Sequence, residues 1–80
     1  MEELEIVNIL VEELEAVRLV DQLGNDLESG SRSMNVSRRS FTRDLKEGRR
    51  KIADAIVSGK ALQISGGKFT VITDNGECQQ

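Results

Sequence analysis

The first apolar residues at helical spacing lie between residues 11 and 23, where Leu14, Val17 and Leu19 share one side. The acidic residues of this stretch are predicted to point mostly outward: Glu12, Glu13 and Glu15. Gly24 and Asn25 then favour a helix end, because both residue types tolerate the left-handed backbone. The pattern predicts a helix over 11–23. For residues 4–10 the sequence fits an extended arm and a first helical turn equally well.

A short second helix is predicted over 27–33, with Asp26 as its N-cap. Its glycine and serines have poor helix propensity, so we expect tertiary packing to hold it, with Ser31 at the contact with the next helix. Asn35 suits a turn that needs a positive φ, and Val36 is predicted to be a buried plug.

The strongest periodicity predicts a long third helix over 37–58, with Ser37 as its N-cap and Gly59 at its end. Its apolar face follows three- and four-residue steps: Phe41, Leu45, Gly48, Ile52, Ala55 and Ile56. Gly48 has no side chain, which permits a close approach by another helix.

Two alternating segments, 61–65 and 68–72, flank Gly66-Gly67 and predict a β-hairpin over 61–72. Residues 74–80 are polar and are predicted to be a disordered tail. The chain is therefore predicted to be one mainly α domain with three helices, the last of them long, followed by a C-terminal β-hairpin.

Charge changes this picture more by its position than by its total. The 80 residues carry a net charge of −3, which alone argues against nucleic acid. Residues 1–30, however, hold nine acidic side chains and one basic, and residues 31–51 hold eight basic and two acidic. Net charges of −8 and +6 thus follow each other, and residues 52–80 add −1. A dense basic block is a candidate surface for an anionic partner.

The short helix, the Asn35 turn and the Arg-rich helix entry form the pattern of a helix-turn-helix motif, whose second helix enters the DNA major groove. The predicted base contacts lie at the start of the third helix: Arg38, Arg39, Thr42 and Arg43. The predicted phosphate contacts surround them: Arg32, Ser37, Ser40, Lys46, Arg49 and Arg50. Lys51 is expected to face phosphates as well. Arginine suits base reading because its fork can bind guanine with two hydrogen bonds.

The chain has few residues suited to catalysis or metal binding. The chain has no histidine and one cysteine, Cys78, so it cannot assemble a zinc site or a Cys–His pair by itself. We expect no enzyme activity, no cofactor, no metal and no small-molecule substrate. The longest apolar run, residues 9–11, is far too short to span a bilayer, and the acidic start is unlike a signal peptide. The expectation is a soluble cytoplasmic protein without membrane contact.

Three stretches carry a resemblance to a known family: residues 11–21, 34–43 and 49–62, the last containing Arg-Arg-Lys-Ile-Ala-Asp-Ala and Gly-Lys-Ala-Leu. Over about residues 8–68 the chain resembles domain of unknown function 134, a family of uncharacterised prokaryotic proteins predicted to bind DNA. The family's helix-turn-helix is similar to the fourth region of bacterial sigma factors, and its members carry an upstream basic, Cys-containing segment. The chain differs from the family pattern at several positions: Leu10, Gly30, Ser31, Asn35, Asp44 and Gly48.

The expected function is sequence-specific binding of double-stranded DNA in transcriptional regulation, with the 37–51 helix in the major groove. A homodimer is a possible state, because palindromic half-sites match a two-fold axis and the hairpin edge or residues 4–10 could form the interface. The alternative is a protein–protein interaction module of the same fold that has lost DNA binding and uses the acidic helix 11–23 as its contact surface.

Overall fold

Three helices and two short strands form residues 4–65, the part of the chain that the computed structural model describes. The elements follow in the order β1 (Ile6–Leu10), α1 (Val11–Val17), a π-helical turn (Arg18–Gln22), α2 (Leu27–Met34), α3 (Arg38–Ser58) and β2 (Ala61–Ser65). The prediction of a mainly α chain with three helices and a long last helix is confirmed. Within residues 4–65, no helix has both the length and the apolar character needed to cross a membrane.

The first helix follows its predicted range but changes its winding. From Arg18 the helix widens, and the Leu23 N–H donates to the Arg18 carbonyl at 2.9 Å, which is the five-residue step of a π-helix. Gly24 then takes a φ of 82° and ends the helix, as its sequence position predicted. The left-handed turn at Gly24 satisfies a further carbonyl group of this helix end, because it lets the Asn25 N–H donate to the Leu19 carbonyl at 2.9 Å.

The two strands form a parallel pair, with Ile6 opposite Ala61 and Leu10 opposite Ser65. Residues 6–10, which the sequence left open, are thus a strand. The first strand of the predicted hairpin is present as β2, but within residues 4–65 its partner is β1. The predicted Gly66-Gly67 turn, the second strand over 68–72 and the tail over 74–80 lie outside the described residues.

The core lies between α1, α2 and α3. Its buried members come from α1, the π-helical turn and α3: Ala16, Leu19, Phe41 and Leu45. Half-buried apolar side chains pack around them: Val17, Val20, Leu27 and Met34. Ile9 of β1 and Ala55 of α3 are also buried, which places the sheet against α3. Burial of these groups is the main term that stabilises the fold.

Gly48 brings α1 and α3 into close contact. A Cβ atom at Gly48 would lie 2.7 Å from the Glu13 carbonyl oxygen and 2.8 Å from Val17 Cγ2. Both distances are shorter than the contacts that Cβ atoms make in real proteins, so α1 and α3 can cross this closely only with glycine at position 48. The predicted close approach of a second helix at Gly48 is confirmed.

Three expectations about burial are wrong. Val36 is 38% exposed, because its N–H closes the turn after α2 while its side chain stands outside. Ile56 is 74% exposed, because Ala55 already occupies the buried position in that turn of α3. Glu13 is buried instead of outward: its Oε1 accepts the Leu10 N–H at 3.0 Å and Lys51 Nζ at 2.7 Å. The carboxylate thus caps the start of α1 and ties it to α3.

Candidate nucleic-acid interface

A tight reversal after α2 sets the direction of α3. Asn35 has φ 58° and ψ 45°, the left-handed conformation that the sequence predicted. Its N–H donates to the Arg32 carbonyl, and the Val36 N–H donates to the Ser31 carbonyl, both at 3.1 Å. These two bonds form a Schellman motif, which satisfies the last carbonyl groups of α2.

Ser37 begins α3 as predicted. Its Oγ accepts the Ser40 N–H at 3.1 Å, and its own carbonyl accepts the Phe41 N–H at 2.9 Å. The Ser37 hydroxyl proton takes no part in this cap and remains available to an acceptor in solvent. The start of α3 is therefore a rigid, exposed helix N-terminus, where anions are favoured.

Gly30 fixes the distance between α2 and α3. A Cβ atom at Gly30 would lie 2.3 Å from Phe41 Cζ, and Phe41 is fully buried. The sequence placed this contact at Ser31, which is also buried, but its Oγ donates to the Glu28 carbonyl at 3.0 Å within α2 itself. Gly30 is thus a close contact between α2 and α3 next to the buried Ser31, and glycine at this position lowers the helix propensity of α2.

The predicted base contacts all lie exposed on the first turns of α3. Among residues 4–65, Arg38 and Arg39 have no carboxylate partner within 4 Å, and Arg43 has a loose one, Asp44, at 3.8 Å. The Thr42 hydroxyl donates to the Arg38 carbonyl at 2.8 Å, so its proton is already used and its methyl group stays exposed. The helix thus presents three guanidinium groups and one methyl group side by side.

The predicted phosphate contacts fall into two groups. Lys46 is exposed, and among the described residues no carboxylate pairs with it. Arg32, by contrast, pairs with Glu28 at 2.7 Å on the surface of α2, and Arg50 donates to one oxygen of Glu47 at 3.1 and 3.3 Å. The Arg50 guanidinium holds the pKa of Glu47 below its usual range, so that carboxylate stays charged near neutral pH.

Arg49 is held by a residue far away in sequence. Its Nε and Nη2 donate to the two carboxylate oxygens of Asp21 at 2.9 and 2.7 Å. This bond pair lowers the pKa of Asp21 and raises that of Arg49, so the pair is fully charged at neutral pH. Asp21 was not predicted from the sequence. Its separation of 28 residues from Arg49 gives no helical spacing to detect.

Two polar residues of the predicted surface are less exposed than their neighbours. Ser40 is half-buried, and its N–H is taken by Ser37. The Lys51 side chain is only 17% exposed and binds the buried Glu13 at 2.7 Å. Lys51 therefore stabilises the α1–α3 contact and does not belong to the exposed basic surface.

Asp44, one of the positions that differ from the family pattern, lies beside this surface. It is half-buried on α3, and burial raises the pKa of its carboxyl, against the lowering effect of Arg43. Glu12 and Glu13 nearby act in the same direction as burial. Within residues 4–65, no three side chains of the kind that bind metals come together. The arrangement is a basic helix surface without a metal-ligand set in the described part of the chain.

Comparison with known proteins places this chain in a family. Residues 1–72 match the family described as "Protein of unknown function DUF134". A UPF0251 protein of Methanocella arvoryzae is 47% identical over 77 residues, which cover 96% of this chain and 45% of that protein. A UPF0251 protein of Moorella thermoacetica is 42% identical over 80 residues, covering 100% of this chain and 54% of that protein. No solved structure matches the chain.

The chain therefore belongs to the DUF134 family. It spans about half the length of the curated relatives that it matches. The family resemblance derived from the sequence is thereby confirmed.

Proposed function

We propose that this member of the DUF134 family binds double-stranded DNA in a sequence-specific manner and regulates transcription. α3 enters the major groove with its N-terminal half, where its side chains reach base edges. The observation that carries the proposal is the exposed row of basic side chains at the start of α3. Within residues 4–65, Arg38, Arg39 and Lys46 are free of carboxylate partners, so the charge there is available to DNA.

The local geometry supports this role, because α2, a three-residue turn and a capped α3 follow one another in the order of a helix-turn-helix. The Schellman motif and the Ser37 cap leave little freedom at the start of α3. A recognition surface gains affinity when it is ordered before binding, because less conformational entropy is lost.

The side chains divide by their chemistry. Arg38, Arg39 and Arg43 can each bind guanine O6 and N7 through two hydrogen bonds. Thr42 offers its methyl group, which suits contact with a thymine methyl, because its hydroxyl proton is already donated within α3. Phosphate contacts position the protein and come from the remaining exposed donors: Arg32, Ser37, Lys46, Arg49 and Arg50.

One short recognition helix reads few base pairs, so a second copy on a palindromic site would add specificity. A homodimer is accordingly part of the proposal. Strand β1 has one free edge among the described residues, and this edge is a suitable place for pairing two copies.

The test is a titration of the full 80-residue chain into fluorescent duplex DNA, followed by anisotropy between 50 and 200 mM salt. Duplexes selected from a random pool supply the specific site, and a scrambled duplex supplies the reference. Binding that is tighter on the selected site and weakens steeply with salt supports the proposal. A folded chain that binds neither duplex at the lowest salt contradicts it.

A pair of variants tests the division into base and phosphate contacts. Arg39→Ala removes an exposed base contact, so it is expected to reduce discrimination between the two duplexes. Arg50→Ala removes a phosphate contact, so it is expected to weaken both duplexes equally. If both variants lower both affinities by the same factor, the division is wrong.

A second candidate function is protein binding through α1, with a basic protein segment as the partner. The observation in its favour is a shallow apolar groove beside the acidic residues of α1, lined by Leu14, Val17, Arg18, Asp21 and Gln22. A fluorescent Lys-rich amphipathic peptide would then bind the chain and lose binding in Leu14→Lys. Peptide binding together with no DNA affinity would favour this second function over the first.

A further inference from the structure

The Arg49–Asp21 pair differs from the other arginine pairs of this surface. It joins the π-helical turn to α3 across 28 residues. The other arginine–carboxylate pairs within residues 4–65 span four residues or fewer. A long-range pair with two short bonds fixes the side chain relative to the whole domain, and not only to its own helix.

The two bonds to Asp21 occupy only one edge of the Arg49 guanidinium group. Of its five N–H groups, Asp21 takes one from Nε and one from Nη2, so three remain. The Arg49 side chain is 52% exposed and lines a groove between α2 and α3 together with Thr42 and Lys46. The free N–H groups therefore lie on the same side of α3 as Thr42, a predicted base contact, and as Lys46, which has no carboxylate partner within residues 4–65.

Arg50 provides the contrast one residue further along. Both of its bonds go to a single oxygen of Glu47 at 3.1 and 3.3 Å, within one turn of the same helix. Such local surface pairs restrict a side chain only weakly. Arg49, with two shorter bonds to two oxygens, is already ordered before a ligand arrives.

We infer that Asp21 is a positioning residue for DNA, which holds the Arg49 guanidinium so that its free N–H groups are directed at a backbone phosphate beside α3. The inference rests on the proposed function and names a residue that acts through another. A carboxylate near DNA ordinarily repels it. Positioning and repulsion therefore predict opposite signs when the Asp21 charge is removed.

The deciding variant is Asp21→Asn in the full chain, measured by anisotropy on the selected duplex at 50–200 mM salt. Positioning predicts that affinity falls by about three- to tenfold, the range expected when one long side chain must be ordered on binding. Glu47→Gln is the matched control, because it also removes one carboxylate charge that pairs with an arginine of α3, but it does not disturb a two-oxygen pair. It is expected to leave affinity unchanged or higher.

Arg49→Lys completes the design. Lysine keeps the positive charge without the planar fork, so this variant alone is expected to lose a similar factor. In the Arg49→Lys background, Asp21→Asn has nothing left to position and is expected to leave affinity unchanged or raise it. Thermal unfolding of each variant shows whether the chain is folded. If Asp21→Asn does not fold, the affinity of Arg49→Lys is the test, because an unchanged affinity in that variant would contradict the inference.

The outcomes separate the inference from the proposed function. A wild-type chain without DNA affinity contradicts the proposed function and the inference with it. A wild-type chain that binds DNA, with tighter or equal binding in Asp21→Asn, overturns the inference alone. The same loss from Asp21→Asn in both backgrounds also overturns it, because the effect would then not pass through Arg49.

Discussion

Replacing Gly48 by alanine tests the closest contact of the fold. Two effects oppose each other. Alanine is a better helix former than glycine by about 1 kcal/mol, so helix propensity alone predicts stabilisation. The added Cβ, however, would lie 2.7 Å from the Glu13 carbonyl oxygen and 2.8 Å from Val17 Cγ2.

The steric effect is expected to win. Val17 can rotate its methyl group, but the Glu13 oxygen is a backbone atom of α1, and the Glu13 side chain ties that helix to Lys51. Relief then requires α1 to move away from α3, and such overpacking costs about 1–3 kcal/mol. After the gain in propensity, the net loss in free energy of unfolding is at most about 2 kcal/mol.

Urea unfolding followed by circular dichroism measures this loss, and thermal unfolding should show about 4–8 °C for each kcal/mol. Ala53→Gly, at an exposed position of the same helix, calibrates the propensity term and is expected to cost about 0.5–1 kcal/mol. If Gly48→Ala stabilises the chain by the amount that Ala53→Gly destabilises it, the close contact between α1 and α3 is refuted.

Three further predictions concern stability. Burial raises the pKa of Asp44, so the charged carboxylate destabilises the folded state above that pKa. Asp44→Asn should therefore have a higher free energy of unfolding in urea than the wild-type chain at pH 7. The difference between the two should shrink below about pH 4, where the carboxyl is protonated in the unfolded state as well. Asn35 has φ 58°, so Asn35→Gly should keep the thermal midpoint within a few degrees, whereas Asn35→Val should lower it clearly. Glu13→Gln leaves the half-buried Lys51 without its carboxylate partner and should cost about 1–3 kcal/mol in urea unfolding, part of which Lys51→Met should restore in the double variant.

The features that local sequence predicted are those decided within a few residues. Asp26 caps α2 by accepting the Ser29 N–H at 2.8 Å, and Ser37 caps α3 in the same way. Gly59 ends α3 with a φ of 69°. Each of these depends on one side chain and its own turn, so the sequence around it carries the whole signal.

The features that it missed depend on distant partners. β1 and β2 pair in parallel across more than fifty residues, and nothing in residues 4–10 alone indicates that partner. Glu13 resembles its neighbours Glu12 and Glu15 in sequence, and only the position of Lys51 makes it a buried group. Val36 was predicted from its apolar character, but the turn geometry directs it to solvent.

The same distinction applies to the charge of the basic block. The sequence gives eight basic side chains over residues 31–51, yet five of them lie within 4 Å of a carboxylate: Arg32, Arg43, Arg49, Arg50 and Lys51. Glu28 and Glu47 could have been found from helical spacing, whereas Asp21 could not.

The proposed phosphate contacts predict the salt dependence of DNA binding. Each phosphate neutralised on duplex DNA contributes about −0.9 to the slope of log affinity against log salt. The positively charged phosphate contacts number four and predict a slope of about −3 to −4 for each bound chain: Arg32, Lys46, Arg49 and Arg50. If the carboxylates that pair with Arg32 and Arg50 in the free protein kept these two side chains from DNA, the slope would be about −2. A measured slope near about −2 would therefore show that these surface pairs limit the interface, and that the assignment of Arg32 and Arg50 as phosphate contacts is wrong.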